Sequence, residues 1–188
     1  AKVVINELCG NKVEYSTFTS ANKFIELYNA GDAEADLSGW QMFKNNDAEA
    51  VWTAPEGTKL AAGAYLVLEA DQTDAAVGFN AGFSAKKEVK IELKDASGKS
   101  VDVFLRGADA TPMAEEALAE NKEASFSRVP NGTGDFAYAA PTPGAANGEK
   151  TGDIEGYTPA GSEQPAPEKK AKVVINELCG NKVEYSTF

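Results

Sequence analysis

Two carboxylates stand inside otherwise apolar runs: Glu7 in Val3-Val4-Ile5-Asn6-Glu7-Leu8 and Glu26 in Phe24-Ile25-Glu26-Leu27-Tyr28. Brought together, such a pair binds a cation or divides the roles of acid and base. The same residues have a structural use. A carboxylate on a strand accepts hydrogen bonds from loop N–H groups, or faces solvent, and so fixes the strand end. That use accounts for both residues without any chemistry. Glu7 and Glu26 are therefore candidate ligand-facing groups set against a structural role.

Three acidic loops hold oxygen ligands of the kind calcium takes. They are Asp32, Glu34 and Asp36; Asn45, Asn46, Asp47 and Glu49; and Glu69, Asp71 and Asp74. None has EF-hand spacing. Asp32, Asp36, Asp71 and Asp74 are the candidate calcium ligands, against the simpler reading of solvated loops. No other cofactor is expected. Trp40 and Trp52 could stack on a sugar or a peptide. Large aromatics are more often core than ligand platforms; Trp52 is expected to be partly exposed, as a third ligand-facing candidate, and Trp40 is expected in the core from the motif resemblance given below.

The composition narrows the chemistry further. The 188 residues carry a net charge of -11 and contain no histidine. That removes the commonest general base, the commonest zinc ligand and any Ser-His-Asp triad. An acidic chain repels phosphate backbones, and Lys2, Lys12, Lys86, Lys87, Lys169 and Lys170 form no patch, so no nucleic-acid partner is expected. No apolar run approaches the ~20 residues of a membrane helix. The chain is read as non-enzymatic. A carboxylate- or metal-dependent enzyme using Glu7 and Glu26 is the furthest alternative.

The elements that must position these residues are short β-type runs separated by turn chemistry. Lys2–Leu8, Lys23–Asn29, Leu37–Lys44 and Ala50–Thr53 come first. Ala64–Glu69 is apolar throughout, as a strand buried on both faces would be. In Glu88–Lys94 the residues Val89, Ile91 and Leu93 alternate with charges. That run leads through Asp95-Ala96-Ser97-Gly98 into Ser100–Leu105, where Val101 and Val103 alternate with Asp102: a hairpin. Ala124–Val129 and Asp135–Ala139 complete the set. Thr111-Pro112 followed by Met113–Glu120 reads as a short helical insertion. Residues 148–170 are rich in Pro, Gly, Glu and Lys and read as a linker, which ends the folded domain at Asn147. The fold class is all-β.

The order of the motifs resembles a lamin tail domain of the bacterial type. Val4-Ile5-Asn6-Glu7 is followed by Phe24-Ile25-Glu26-Leu27-Tyr28-Asn29 and Leu37-Ser38-Gly39-Trp40. Pro55-Glu56-Gly57-Thr58, Leu93 to Asp102, Ser127-Arg128-Val129-Pro130-Asn131-Gly132 and Pro141 to Asn147 continue the series. The resemblance spans Lys2 to Asn147. It implies an immunoglobulin-like β-sandwich acting as a non-catalytic interaction, anchoring or spacer module. It also implies an extracellular or cell-envelope location and a partner that is a protein or envelope component.

One feature lies outside that family pattern. Ala1 to Phe18 returns letter for letter as Ala171 to Phe188, which chance does not produce. The second copy reads as the first strand of a further repeat in a tandem array. The alternative is a strand-exchange device. In it Val173, Val174, Ile175, Leu178 and Cys179 fill the first-strand slot of a neighbouring molecule, giving self-association by domain swapping. The two cysteines, Cys9 and Cys179, occupy the same position of the two copies, so no disulfide framework within the domain is expected.

Overall fold

The computed structural model describes residues 2–19, 23–82, 84, 89–107 and 124–159. Among them are twelve strands and no helix: β1 (Val3–Cys9), β2 (Phe24–Asn29), β3 (Ala35–Asp36), β4 (Gln41–Lys44), β5 (Trp52–Thr53), β6 (Lys59–Leu60), β7 (Tyr65–Ala70), β8 (Gly78–Phe79), β9 (Val89–Lys94), β10 (Ser100–Arg106), β11 (Ser125–Val129) and β12 (Asp135–Ala139). The expected helix at 113–120 and the repeated segment 171–188 lie outside the described residues.

Six strands form one sheet in the order β12-β11-β1-β2-β7-β8, and four form a second in the order β10-β9-β4-β5. A two-stranded ribbon, β3-β6, stands apart from both. Ile5, Leu8, Ile25, Leu27 and Leu68 from the first sheet meet Met42, Trp52, Ile91, Leu93 and Phe104 from the second in one buried core. Around Phe104 the aromatic rings gather: Phe126 stacks at 5.3 Å and Phe136 meets it edge-on at 4.9 Å. The strand order explains why β1 is buried at all seven positions. It lies between β11 and β2, with its inner side chains in the core between the sheets and its outer face under residues 141–147.

Two β-bulges decide which side chains face where. On β1 the pairing with β2 runs Ile5↔Leu27 and then Glu7↔Glu26, leaving Asn6 as the extra residue. A one-residue insertion reverses the alternation beyond it. Ile5 and Leu8 therefore both reach the core, and Glu7 turns to the opposite face beside Glu26. On β10 the extra residue is Val101, between Ser100↔Lys94 and Asp102↔Leu93. Simple alternation placed Val101 and Val103 inward. Instead Val101 is exposed, and Asp102, Phe104 and Arg106 point in.

Asp102 is accepted inside because Arg128 meets it. The Arg128 Nη2 donates to both Asp102 carboxylate oxygens at 2.8 Å, and both side chains are about nine-tenths covered. The pair also completes the sheet. β11 pairs with β1 only at Glu7 and Leu8, and past that point the edge of β1 would be bare. There the Ile5 N–H donates to Asp102 Oδ2 at 2.8 Å, and Arg128 Nε donates to the Ile5 carbonyl at 2.7 Å. Two side chains stand in for a missing strand, and one of them comes from the opposite sheet.

Two further expectations differ from the structure. Tyr65, Leu66 and Val67, the first half of β7, are only half-buried, because β7 has a neighbour on one side alone there. The packed domain also continues past Asn147. Ile154 is buried, and Tyr157 stacks on Phe104 at 5.8 Å. Backbone bridges join Gly152 to Tyr138 and Tyr157 to Arg106. The fully buried Arg106 donates through Nε to the Glu155 carbonyl at 3.0 Å. Two apolar residues in a polar stretch fall below the density that marks a strand, so composition alone reads 148–159 as linker.

Removing one member of the buried pair strands the other and leaves an Ile5 backbone group unsatisfied. Asp102→Ala is expected to lower unfolding free energy by about 3–5 kcal/mol. Urea denaturation of Asp102→Ala, Arg128→Ala and the double variant checks this. The double variant must cost clearly less than the sum of the two singles.

Candidate functional site

The bulge at Asn6 sets Glu7 and Glu26 opposite each other on adjacent central strands, and both are 0% exposed. Unpartnered carboxylates at such depth cost several kcal/mol each. Donors are therefore brought to them. The closing loop, residues 141–147, lies across the outer face of the first sheet. Thr142 N donates to Glu7 Oε1 at 3.1 Å, and Thr142 Oγ1 donates to Oε2 at 3.1 Å. Gly144 N donates to Glu26 Oε2 at 2.7 Å, and Asn6 Nδ2 donates to Oε1 at 2.9 Å.

Three asparagines extend this clasp. Asn147 Nδ2 donates to the carbonyls of Asn6 and Arg128, each at 3.0 Å, and its backbone N donates to Asn131 Oδ1 at 2.9 Å. Gly132 N donates to Asn6 Oδ1 at 3.0 Å. Gly132 has φ of +70°, and a Cβ there would lie 2.5 Å from the Tyr28 ring, so that position admits no side chain. The sequence reading missed Asn6, Thr142 and Gly144 as donors to the carboxylates, and Asn131 and Asn147 as the residues that tie the closing loop down beside them. The signal was present in the motifs Val4-Ile5-Asn6-Glu7, Pro130-Asn131-Gly132 and Pro141 to Asn147, but nothing in a sequence says that one strand and two distant loops converge.

Burial dominates the electrostatics. Desolvation raises Glu26 to about 8; the bonds from Asn6 and Gly144 oppose it, and the nearby Glu7 adds to it. Glu7 is also raised, by desolvation first, against bonds from Ser125 and Thr142. Every one of the four carboxylate oxygens already has a donor from the protein, and none reaches solvent. The arrangement ties a loop to a sheet. It presents no open position at which a substrate atom could sit.

The other candidates are scattered. Trp52 is 3% exposed, with its indole N–H donating to the Ala75 carbonyl at 2.9 Å, so the expectation of a partly exposed ring is corrected. Trp40 instead is the partly exposed one, packed against the margin of the core. The two tryptophans exchange their expected places because Trp52 pairs in register with the fully buried Met42. Asp36 Oδ1 accepts from Ser38 N at 2.9 Å and Ser38 Oγ at 2.6 Å, and these bonds lower its pKa. Asp74 Oδ1 accepts from Ala76 N at 2.9 Å. Asp32 is exposed, and Asp71 sits in a left-handed turn with φ of 59°. Among the described residues no three His, Cys, Asp or Glu gather closely enough to hold a metal ion. Cys9 is fully buried, its thiol pushed up to about 12 by desolvation. Val173, Val174, Ile175, Leu178 and Cys179 lie outside the described residues.

Two facing β-sheets with a buried polar clasp define an all-β module of the immunoglobulin-like kind. The family model of the lamin tail domain matches residues 1–107, more than half of the chain, and the chain belongs to that family. Lamin tail domains are immunoglobulin-like interaction domains, generally non-enzymatic. No curated protein matches this chain. The matched span stops after β10; β11, β12 and the closing loop, which complete the clasp, lie beyond it.

Two outcomes follow from the clasp. Asn147→Ala leaves the carbonyls of Asn6 and Arg128 without donors, and chemical denaturation is expected to show a loss of about 1–3 kcal/mol. The pH dependence has a definite sign. Glu26 holds its proton more tightly folded than unfolded, so its contribution is complete below about 4.5 and is lost as pH rises through about 8. The urea midpoint of the native chain should therefore decline from pH 5 to pH 8.5. Glu26→Gln, which cannot ionise, should flatten much of that decline.

Proposed function

We propose that this chain is a non-catalytic interaction or anchoring module of a bacterial secreted or cell-surface protein, used in tandem array. The observation that carries the reading is the occupation of all four oxygens of Glu7 and Glu26 by loop and asparagine donors. Among the described residues, this pair of buried carboxylates is engaged in holding the closing loop to the sheet. Membership of a family of interaction domains supports the same reading. The exact return of residues 1–18 at 171–188 supports the array. The partner is then a protein or an envelope polymer, met through loops and sheet edges. With a net charge of -11, contact with anionic polymers would have to be bridged by cations rather than direct.

Co-sedimentation with purified bacterial cell-wall and outer-surface fractions, with and without calcium, tests this reading. Saturable retention, unchanged in Glu7→Gln, is the expected result. A panel of ester, phosphodiester and glycoside substrates run in parallel with magnesium, calcium or manganese should stay at the uncatalysed rate. Turnover that disappears in Glu7→Gln would overturn the reading in favour of a carboxylate-dependent enzyme.

A further inference from the structure

The first sheet carries a bare stretch of strand edge beside a groove. β8 pairs with β7 only at Glu69 and Ala70. On the β2 side, the Ala64 carbonyl accepts from Asn29 N, and Ala70 N donates to the Lys23 carbonyl. Backbone groups alternate along a strand, so the even-numbered residues of β7 face β2 and the odd-numbered ones face away. Glu69 uses its outward N–H on the Val77 carbonyl. Tyr65 and Val67 turn theirs to a side where, among the described residues, no strand lies against them. Along this edge runs a groove of about 590 Å³. Tyr65, Leu66 and Val67 form one side, Tyr15 and Phe18 of the loop after β1 form another, and Val77 closes the end.

The walls of the groove are fixed by the fold. Tyr15 meets Phe18 edge-on at 5.2 Å, and Phe18 packs on Phe24 of β2 at 5.7 Å. Glu69 holds the same loop, accepting from Thr19 N at 2.7 Å and Thr19 Oγ1 at 2.8 Å. Tyr65 stacks on Tyr28 at 4.7 Å, and its hydroxyl accepts from Asn131 Nδ2 at 3.1 Å. Edge and rings are therefore in place before anything binds, which lowers the cost of binding. Outward N–H and C=O groups on a strand select an extended peptide backbone. Side chains at every second position of an added strand then fall beside Tyr15 and Phe18, and apolar ones fit there.

Charge narrows the occupant. Among the described residues no lysine or arginine lines the groove, and the charged residue that does is Glu69. Glu14 is exposed next to Tyr15, and Asp74 is exposed two residues before Ala76; Lys12, also exposed, is the cation of the first loop. A second copy of this chain, with its net charge of -11, meets repulsion at such an edge. A cationic segment is drawn to it.

We propose that the Tyr65–Val67 edge receives an extended segment of a partner protein, apolar at alternate positions and flanked by lysine or arginine, which pairs as an added strand beside Tyr15 and Phe18. This names the partner chemistry of the interaction module proposed above and rests on that reading. The backbone bonds set where the segment lies, the rings hold its apolar side chains, and the acidic rim selects its flanks.

Fluorescence anisotropy on the full chain tests this with a labelled synthetic peptide, Lys-Lys-Val-Thr-Val-Thr-Val-Lys-Lys. Saturable binding is expected. Proline in place of the central valine removes a backbone donor, and glutamate in place of the four lysines reverses the charge. Each change should weaken binding at low salt by at least about tenfold. With the parent peptide bound, hydrogen–deuterium exchange at the Tyr65 and Val67 amides should slow by at least about tenfold, while the β1 amides stay the same. In the protein, Val67→Pro removes an outward N–H and leaves the bonds to β2 in place, so it should abolish binding. Tyr15→Ala, which alters the wall and not the strand, should weaken it. No saturable binding, equal binding of the proline or glutamate peptide, or protection away from Tyr65 and Val67 overturns the proposal. A mass that rises with protein concentration in the absence of peptide, and falls back in Val67→Pro, gives the edge to a second copy and overturns it too. Co-sedimentation with envelope fractions separates this proposal from the reading it rests on. Retention of the native chain with no peptide binding overturns the groove alone. Peptide binding at the edge with no retention supports the groove and overturns the envelope partner.

Discussion

Two carboxylates buried side by side on neighbouring strands are tolerable only where donors are delivered to them, and the architecture follows from that requirement. The bulge at Asn6 turns Glu7 onto the face of Glu26 and at the same time frees the Asn6 side chain to serve Glu26 and Gly132. The closing loop brings Thr142 and Gly144, and Asn147 locks that loop to the carbonyls on either side of it. Apolar residues at these positions would pack, but they would not say where the loop must cross the sheet. Hydrogen-bonded carboxylates fix that crossing to within a bond length. The free energy lost to desolvation is offset by position: the last strand pair and the loop behind it are held in one register against the first two strands.

A second polar pair does related work at the other end of β1. Arg128 and Asp102 satisfy the Ile5 backbone where β11 turns away, and because Asp102 belongs to the second sheet the pair links the two layers. The first strand is thus held at Ile5 by side chains and at Glu7 by a loop. Its apolar faces alone would allow slippage by a residue, since Val-Val-Ile is nearly uniform. The polar contacts remove that freedom.

Much of the architecture was legible in the residues. Alternation in Val89–Lys94 matched the burial of the strand position by position, and the turn at Asp95–Gly98 gave the hairpin. The ordered motifs led to the family. What stayed hidden were features in which one residue breaks a period. Val101 and Asn6 are single insertions that reverse a face, and no local propensity marks them. The structural role of Glu7 and Glu26 could be suspected from their apolar surroundings, but the donors of the closing loop, Thr142 and Gly144, come from more than 100 positions away in the chain. Trp40 and Trp52 changed places because pairing register, not hydrophobicity, decides which ring goes inside. Ile154 and Tyr157 were too sparse in a polar stretch to announce a packed segment.

That last segment bears on where the module can be cut. A fragment ending at residue 107, where the family match ends, would keep both buried carboxylates and lose every backbone donor the closing loop brings to them. One ending at Asn147 would keep the clasp but uncover Phe104 and Phe136, over which Tyr157 lies, and leave the buried Arg106 guanidinium without the Glu155 carbonyl. The smallest piece that carries its own complete interior runs to Thr158. For anyone grafting this domain into another protein, the seam belongs after that residue.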